Sequence, residues 1–435
     1  MNAQVSLVSA LGQAPLVEQR GRIVGAIGTS IRVCGVRAKI GDQCRLVDPR
    51  SGANLWAEVV GFNGDDAILT PLGDMRGLSA DCDVILRSDD DSVPYGFELA
   101  GRVLDARLEP LDGLGPVPRN RTRPLQGNSP NPMQRRQVEE PMETGIRAID
   151  GLLTLGVGQR VGIFAAAGCG KSTLLGLLAR QASADITVIA LIGERGREVR
   201  EFVEDILGPE GLARSIVIVA TSDRPAMERV RAAQVATAIA EGLRDSGNHV
   251  LLLMDSVTRY ARALREIGLA AGEPAVRRGF PPSVFAELPK LFERSGSDAN
   301  AAITGIYTTL LEEEEGDPIG EEVRSLLDGH ITLSRQLAGQ GHFPAIHILD
   351  SLSRLFPKLA GSEQQAAAQH VRALLQKLQD IELVVQMGDY EPGRDRVADE
   401  ALELRGALND FLRQSGDEIS PMSHSIARLR AFGGS

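Results

Sequence analysis

The period of hydrophobic and polar positions changes along the chain. From residue 21 to about 87, apolar and polar residues alternate in short runs, 22–27, 30–34, 55–60 and 67–70, broken by turns such as Asn63-Gly-Asp-Asp66. A period of two with frequent turns predicts half-buried strands that close into a small β-barrel. The stretch Asp89-Asp-Asp-Ser-Val-Pro94 reads as a solvated linker. From about 101 to 140 the chain carries Pro116, Pro118, Pro124, Pro130 and Pro132 among many arginines, which predicts mostly extended backbone without its own core. Those arginines form a basic strip or, more simply, pack against acidic neighbours. From 144 to about 357, apolar runs at 160–165, 186–192, 216–220, 250–254 and 346–349 alternate with helical stretches, which predicts a parallel sheet covered by helices. The last region is helical in pattern, over 364–381 and 399–414, with the turn Tyr390-Glu-Pro-Gly-Arg394 between them. The expected units are 1–90, a β-barrel; 91–143, an extended linker or edge segment; 144–360, an α/β core; and 361–435, a helical domain.

The most specific chemistry lies at Ala165-Ala-Ala-Gly-Cys-Gly-Lys-Ser172, between the apolar run 161–164 and the run 173–178. Strand, glycine-rich loop and helix follow in that order. Such a loop points backbone N–H groups at phosphate oxygens, and the helix start adds its positive dipole end. Ala167, Gly168, Cys169, Gly170, Lys171, Ser172 and Thr173 are the candidate nucleotide-binding residues. Lys171 reaches the β- and γ-phosphates, and the Ser172 hydroxyl suits Mg²⁺. The strict pattern has glycine first; Ala165 meets the same need for a small residue. An ordinary glycine-rich turn is the plainer alternative.

Two further runs end in acids. Val250-Leu-Leu-Leu-Met-Asp255 would bring Asp255 to the carboxyl edge of the sheet, where it can hold Mg²⁺ through water. Leu191-Ile-Gly-Glu-Arg-Gly-Arg-Glu198 offers Glu194 to orient or activate a water, with Arg195, Arg197 and Glu198 close by. Its alternative is a salt-bridged turn. Ser172, Asp255 and Glu198 make up the candidate metal shell. Glu312-Glu-Glu-Glu315 reads as an exposed acidic loop, with a docking patch as the other reading.

Composition narrows the classes. The chain has 435 residues, 58 acidic against 47 basic, a net charge of −11 and 4% aromatic residues. That balance argues against a dominant nucleic-acid surface. Cys34, Cys44, Cys82 and Cys169 show no CxxC spacing, as expected of free thiols in a reducing compartment. No secretory leader pattern opens the chain and no apolar run reaches the roughly twenty residues of a membrane span, so a cytosolic protein is expected.

Together, residues 165–172, Ile192-Gly-Glu-Arg195, Leu253-Met-Asp-Ser-Val-Thr-Arg259, Gly279-Phe-Pro-Pro-Ser-Val-Phe285 and Leu349-Asp-Ser-Leu-Ser-Arg354 resemble those of the ATPases of type III secretion systems. That family is similar in turn to the catalytic β subunit of the rotary ATP synthase. The likeness runs from about 21 to 418, and Phe411-Leu-Arg-Gln-Ser-Gly-Asp-Glu418 favours the injectisome branch over the flagellar one. It implies a RecA-like P-loop core between a β-barrel and a helical domain, and an ATP hydrolase that energises protein export. By the same likeness, the catalytic residues are Lys171, Glu194, Arg195, Arg259 near the γ-phosphate, and Arg354, an arginine finger acting in the neighbouring subunit's site. Phe343 occupies the place of an aromatic that faces adenine; a core phenylalanine is the plainer reading. The resemblance further implies ATP and Mg²⁺, a homohexamer, stator-like and central-stalk partners, a membrane export gate at whose cytoplasmic face the protein sits peripherally, and chaperone–effector complexes received by the C-terminal helices. The short tail from His424 to Ser435, ending Phe-Gly-Gly-Ser, departs from the family, as does the acidity of 312–315. The competing functions are a non-catalytic nucleotide-binding subunit of a rotary ring, which would lack Glu194, and a nucleic-acid translocase on the same core.

Overall fold

The computed structural model describes residues 20–87, 91–311 and 316–433. The first nineteen residues, 88–90 of the expected linker, the acidic run 312–315 and the last two residues lie outside the described ones.

Among the described residues, six antiparallel strands close the N-terminal barrel in the order Arg20–Ile27, Ser30–Cys34, Asp66–Leu72, Asn54–Asn63, Gln43–Val47 and Asp83–Leu86. The alternation in sequence becomes an inside and an outside: Ile31, Val33, Leu46, Val59, Leu69 and Val84 fill the interior.

Residues 91–94 are not a solvated linker. Asp91 is ion-paired with Arg231 and accepts a hydrogen bond from Gln43 Nε2 at 2.8 Å, while Val93 is fully buried. Ser92–Pro94 pairs with Thr122–Pro124. An acid opposite a buried guanidinium and an apolar residue with a core to enter outweigh the polar composition of this stretch. Downstream, Val103–Asp105 adds a parallel strand beside Ser215–Ala220. The arginines of this region meet acids: Arg102 with Asp112 at 2.8 Å, Arg123 with Asp245 at 2.9 Å and Arg135 with Glu293 at 3.0 Å.

The central sheet runs, from edge to edge, Leu352–Ser353, Gly329–Leu333, Arg160–Ala165, Ala302–Leu310, His249–Asp255, Ile186–Ile192, Ser215–Ala220 and Val103–Asp105. Every neighbouring pair is parallel except the first, where Leu352–Ser353 runs antiparallel. The continuous Val/Ile/Leu runs at 186–192 and 250–254 are buried on both faces, as parallel strands require. The run 346–349 is not a strand: Ile346 makes one isolated bridge to Leu333, and Ile346 and Ile348 are apolar because they enter the core. One face is covered by the alanine-rich helix Ala226–Asp245, the other by Lys171–Gln181 and the C-terminal helices.

The C-terminal region comprises the helices Ser362–Met387, Arg396–Leu412 and Met422–Arg430. Asp395 caps the second by accepting from Val397 N at 2.9 Å and Ala398 N at 3.2 Å. The third helix lies within the region expected to be helical, beyond the two stretches that its pattern marks out. It forms because Ser425 and Leu429 are buried and Phe432 meets Phe411 edge-on at 5.7 Å. Among the described residues, no helix is long and apolar enough to cross a membrane.

Candidate nucleotide-binding and hydrolytic site

The strand Arg160–Ala165 sits inside the sheet, between Gly329–Leu333 and Ala302–Leu310, so its carboxyl end is held from both sides. The chain then turns through 166–170 into the helix Lys171–Gln181. Cys169 anchors this turn by burying its side chain in the core, whereas Ala167, Gly168 and Thr173 are exposed. Gly168 and Gly170 hold φ of 81° and 80°, left-handed values that favour glycine. A side chain at Gly170 would also meet the Phe343 ring, 3.3 Å from its nearest atom. No side chain caps the helix start, so its first amides remain available to an anion.

Parallel pairing brings the neighbouring strand ends to the same edge. Asp255 closes its strand opposite Leu191, and Glu194 follows two residues after Ile192, past the left-handed turn at Gly193. Lys171 Nζ bonds Asp255 Oδ1 and stands 4.0 Å from Glu194 Oε1. Asp255 is 2% exposed, and its Oδ1 also accepts from the Thr308 hydroxyl at 2.7 Å.

Glu194 is the electrostatic outlier. Its carboxyl is pushed up to about 7, first by burial and then by the negative charge of Asp255; Lys171 opposes the shift, and a hydrogen bond with Glu198 adds to it. Its Oε1 is buried without a hydrogen-bond partner. Arg259 Nε is in the same state. The Arg259 stem packs on Gly193, where a Cβ would come within 2.9 Å of it. Two unpartnered polar atoms thus flank one turn, each costing about 1–3 kcal/mol. An acceptor for water and a donor for anionic oxygen are what nucleotide hydrolysis uses. Ser256 caps the helix Val257–Ala270 that carries Arg259.

The remaining candidates lie further out. Arg195 has a side chain 76% exposed and pairs with Glu198 at 3.3 Å rather than reaching Lys171. Glu198 is shared between Arg195 and Glu194 and has no contact with Asp255 among those the structure gives. Arg354 is exposed, and its N–H donates to Asp328 O at 3.0 Å. Asp328 in turn pairs with Arg160, the first residue of the phosphate-loop strand. Arg354 therefore sits at the amino edge of the sheet, and Lys171 at the carboxyl edge of the same chain. Phe343 is 44% exposed with its ring over Gly170.

Thr308 is absent from the sequence reading, and Gln414 enters it only within the run 411–418, with no role of its own. The signal for Thr308 is a strand, Ala302–Leu310, in which Thr304, Thr308 and Thr309 are all fully buried. Buried hydroxyls in an apolar strand have polar work to do.

Among the described residues, no three His, Cys, Asp or Glu side chains converge to hold a metal ion unaided. The donors present, the Ser172 hydroxyl and the Asp255 carboxylate, are hard oxygens. They fit Mg²⁺, which keeps several waters and shares substrate phosphates rather than occupying an all-protein cage.

Residues 145–353 match the ATP synthase alpha/beta family, nucleotide-binding domain, and residues 360–431 match the T3SS EscN ATPase C-terminal domain. A type 3 secretion system ATPase of Xanthomonas euvesicatoria is 53% identical, covering 94% of this chain and 93% of its own length. A flagellum-specific ATP synthase of Bacillus subtilis is 45% identical, covering 99% and 98%. The structure of the assembled ATPase EscN from the enteropathogenic E. coli type III secretion system superposes with a TM-score of 0.88 at 45% identity, over 95% of this chain and 100% of that one. EscN in complex with its central stalk EscO gives 0.87 at 44% identity, over 95% and 100%. With the loop, the acids and the relatives in agreement, the chain belongs to the family of type III secretion system ATPases.

Proposed function

We propose that this ATPase energises type III secretion by hydrolysing ATP at the loop 165–172. The observation that carries the reading is Lys171 held between Asp255 and Glu194, with Glu194 Oε1 buried and free to accept from a water. The loop amides and Lys171 bind the phosphates, and the Phe343 ring face takes the adenine. Arg259 Nε donates to the γ-phosphate side. Glu194 orients the attacking water and accepts its proton as the in-line displacement proceeds. Ser172 and Asp255 would hold Mg²⁺, which would supply charge neutralisation on the phosphates. Arg195 and Glu198 adjust the charge around Glu194.

Arg354 completes a neighbouring copy's site in a homohexamer; its place beside Asp328 and Arg160 at the amino edge of the sheet, away from its own Lys171, supports that reading. The assembled relative and the relative bound to its central stalk support an oligomer with a stalk partner. Stator-like proteins, the membrane export gate and chaperone–effector complexes complete the partner set, with the ring peripheral to the inner membrane on its cytoplasmic side and no nucleic acid involved. Glu194→Gln tests the reading. It should bind ATP normally and lose about 10²–10⁴-fold in kcat. Near-normal turnover removes Glu194 from the mechanism.

A further inference from the structure

Gln414 joins three backbone segments, 145–147, the loop at Phe343 and its own 413–418, at one buried point. It is 6% exposed and lies just beyond the helix Arg396–Leu412. Its side-chain Nε2 donates to Gly145 O at 2.6 Å and to Glu418 O at 2.8 Å, and its Oε1 accepts from Arg147 N at 2.9 Å. Its own backbone N–H donates to Phe343 O at 2.9 Å. A neutral amide offers two donors and an acceptor, and here all are used. Only an amide of this length fills the position; a carboxylate would set an acceptor against the Gly145 and Glu418 carbonyls.

The neighbours extend the connection to the phosphate loop. Arg147, also buried, donates to Phe411 O at 2.9 Å and bonds Glu418 and Arg413 O. Arg180, in the last turn of the phosphate-loop helix, donates to Gly416 O at 3.0 Å, and Gln181 Nε2 reaches Glu418 O at 3.5 Å. The segment 413–418 is thus bonded to the aromatic loop at Phe343, to the entry of the core at Gly145 and Arg147, and to the far end of the helix that begins at Lys171.

We infer that Gln414 is a positioning residue for nucleotide affinity: it fixes where the Phe343 ring stands over Gly170 and ties that ring to the C-terminal helices. The inference rests on the reading of Phe343 as the base-contacting ring. Gln414 does not touch the phosphates and contributes nothing to cleavage itself. Its loss weakens binding of whatever stacks on Phe343 and spares what binds only to the loop.

The test compares ATP with inorganic tripolyphosphate, which has no base. Gln414→Met keeps the volume and removes the three side-chain bonds. It should raise KM for ATP about two- to tenfold, as the displacement of one ring contact would. kcat should stay within about twofold, and the inhibition constant of tripolyphosphate should not move. A purely structural role would weaken both ligands alike. The wild-type protein gives a second readout free of folding effects: ADP, and not pyrophosphate, should slow amide exchange in the peptide 411–418. A wild-type KM in Gln414→Met beside a raised KM in Phe343→Ala overturns the role of Gln414 and keeps Phe343. An unchanged KM in Phe343→Ala removes both. Exchange in 411–418 that ignores ADP, or responds equally to pyrophosphate, also overturns the inference.

Discussion

Thr308 and Asp255 meet across two neighbouring parallel strands, the threonine hydroxyl donating at 2.7 Å to the same carboxylate oxygen that Lys171 bonds. The register sets this up: Met254 pairs with Tyr307, so the next residue of each strand carries the acid and the hydroxyl to the same edge. Removing the hydroxyl leaves a buried charge one donor short. Thr308→Val should lower stability by about 1.5–3 kcal/mol, read as a shift of the urea midpoint at unchanged slope, and Thr308→Ser should recover most of it. A midpoint within error of wild type in Thr308→Val contradicts this role.

Glu194 should give the pH profile its acid limb. Its carboxyl is raised to about 7 by burial and by Asp255, and only the deprotonated form can accept a proton from water. Falling pH therefore removes the base: kcat/KM should decline below about pH 7 and level off above it. Asp255→Asn deletes the neighbouring charge that raises Glu194, so the midpoint in that variant should move down even as the rate falls. A profile flat from pH 5.5 to 8.5, a range of about three units around neutrality, contradicts the assignment.

Gly168 and Gly170 should respond differently to alanine. Both hold left-handed backbone, which costs a non-glycine residue about 1–2 kcal/mol. At Gly168 a Cβ meets nothing within 4 Å, so strain is the whole effect. At Gly170 it also presses on Phe343 at 3.3 Å. ATP affinity, measured by titration, should fall further in Gly170→Ala than in Gly168→Ala. Equal losses would separate Phe343 from the loop.

Arg354 should act on a partner's nucleotide. Specific activity should rise with protein concentration, and Arg354→Ala should lose about 10³–10⁵ in kcat while still binding ATP. Mixing Arg354→Ala with Glu194→Gln, each inactive alone, should restore activity, because interfaces that pair an intact Glu194 with an intact Arg354 then form. A concentration-independent rate in a verified monomer contradicts action between subunits.

The barrel, the phosphate loop and the acids at 194 and 255 were legible because each depends on local order: period two, a fixed loop spacing, an apolar run ending in a carboxylate. Non-local packing hid the rest. The strand Ala302–Leu310 carries threonines in its interior and lacks the Val/Ile/Leu run that betrays its neighbours. The run 346–349 has that composition and folds otherwise, since burial, not pairing, accounts for Ile346 and Ile348. Asp91 and the helix Met422–Arg430 depend on Arg231 and on Phe411, partners more than a hundred residues and about twenty residues distant in sequence.

The thiol sunk beneath the phosphate loop makes a clock for its opening. Cys169 is 1% exposed, so an alkylating reagent reaches it only when the turn lifts from the core, whereas the exposed Cys34 reacts at once. The rate at which the slow thiol is labelled counts those excursions, and a ligand that holds the turn in place stretches the interval between them.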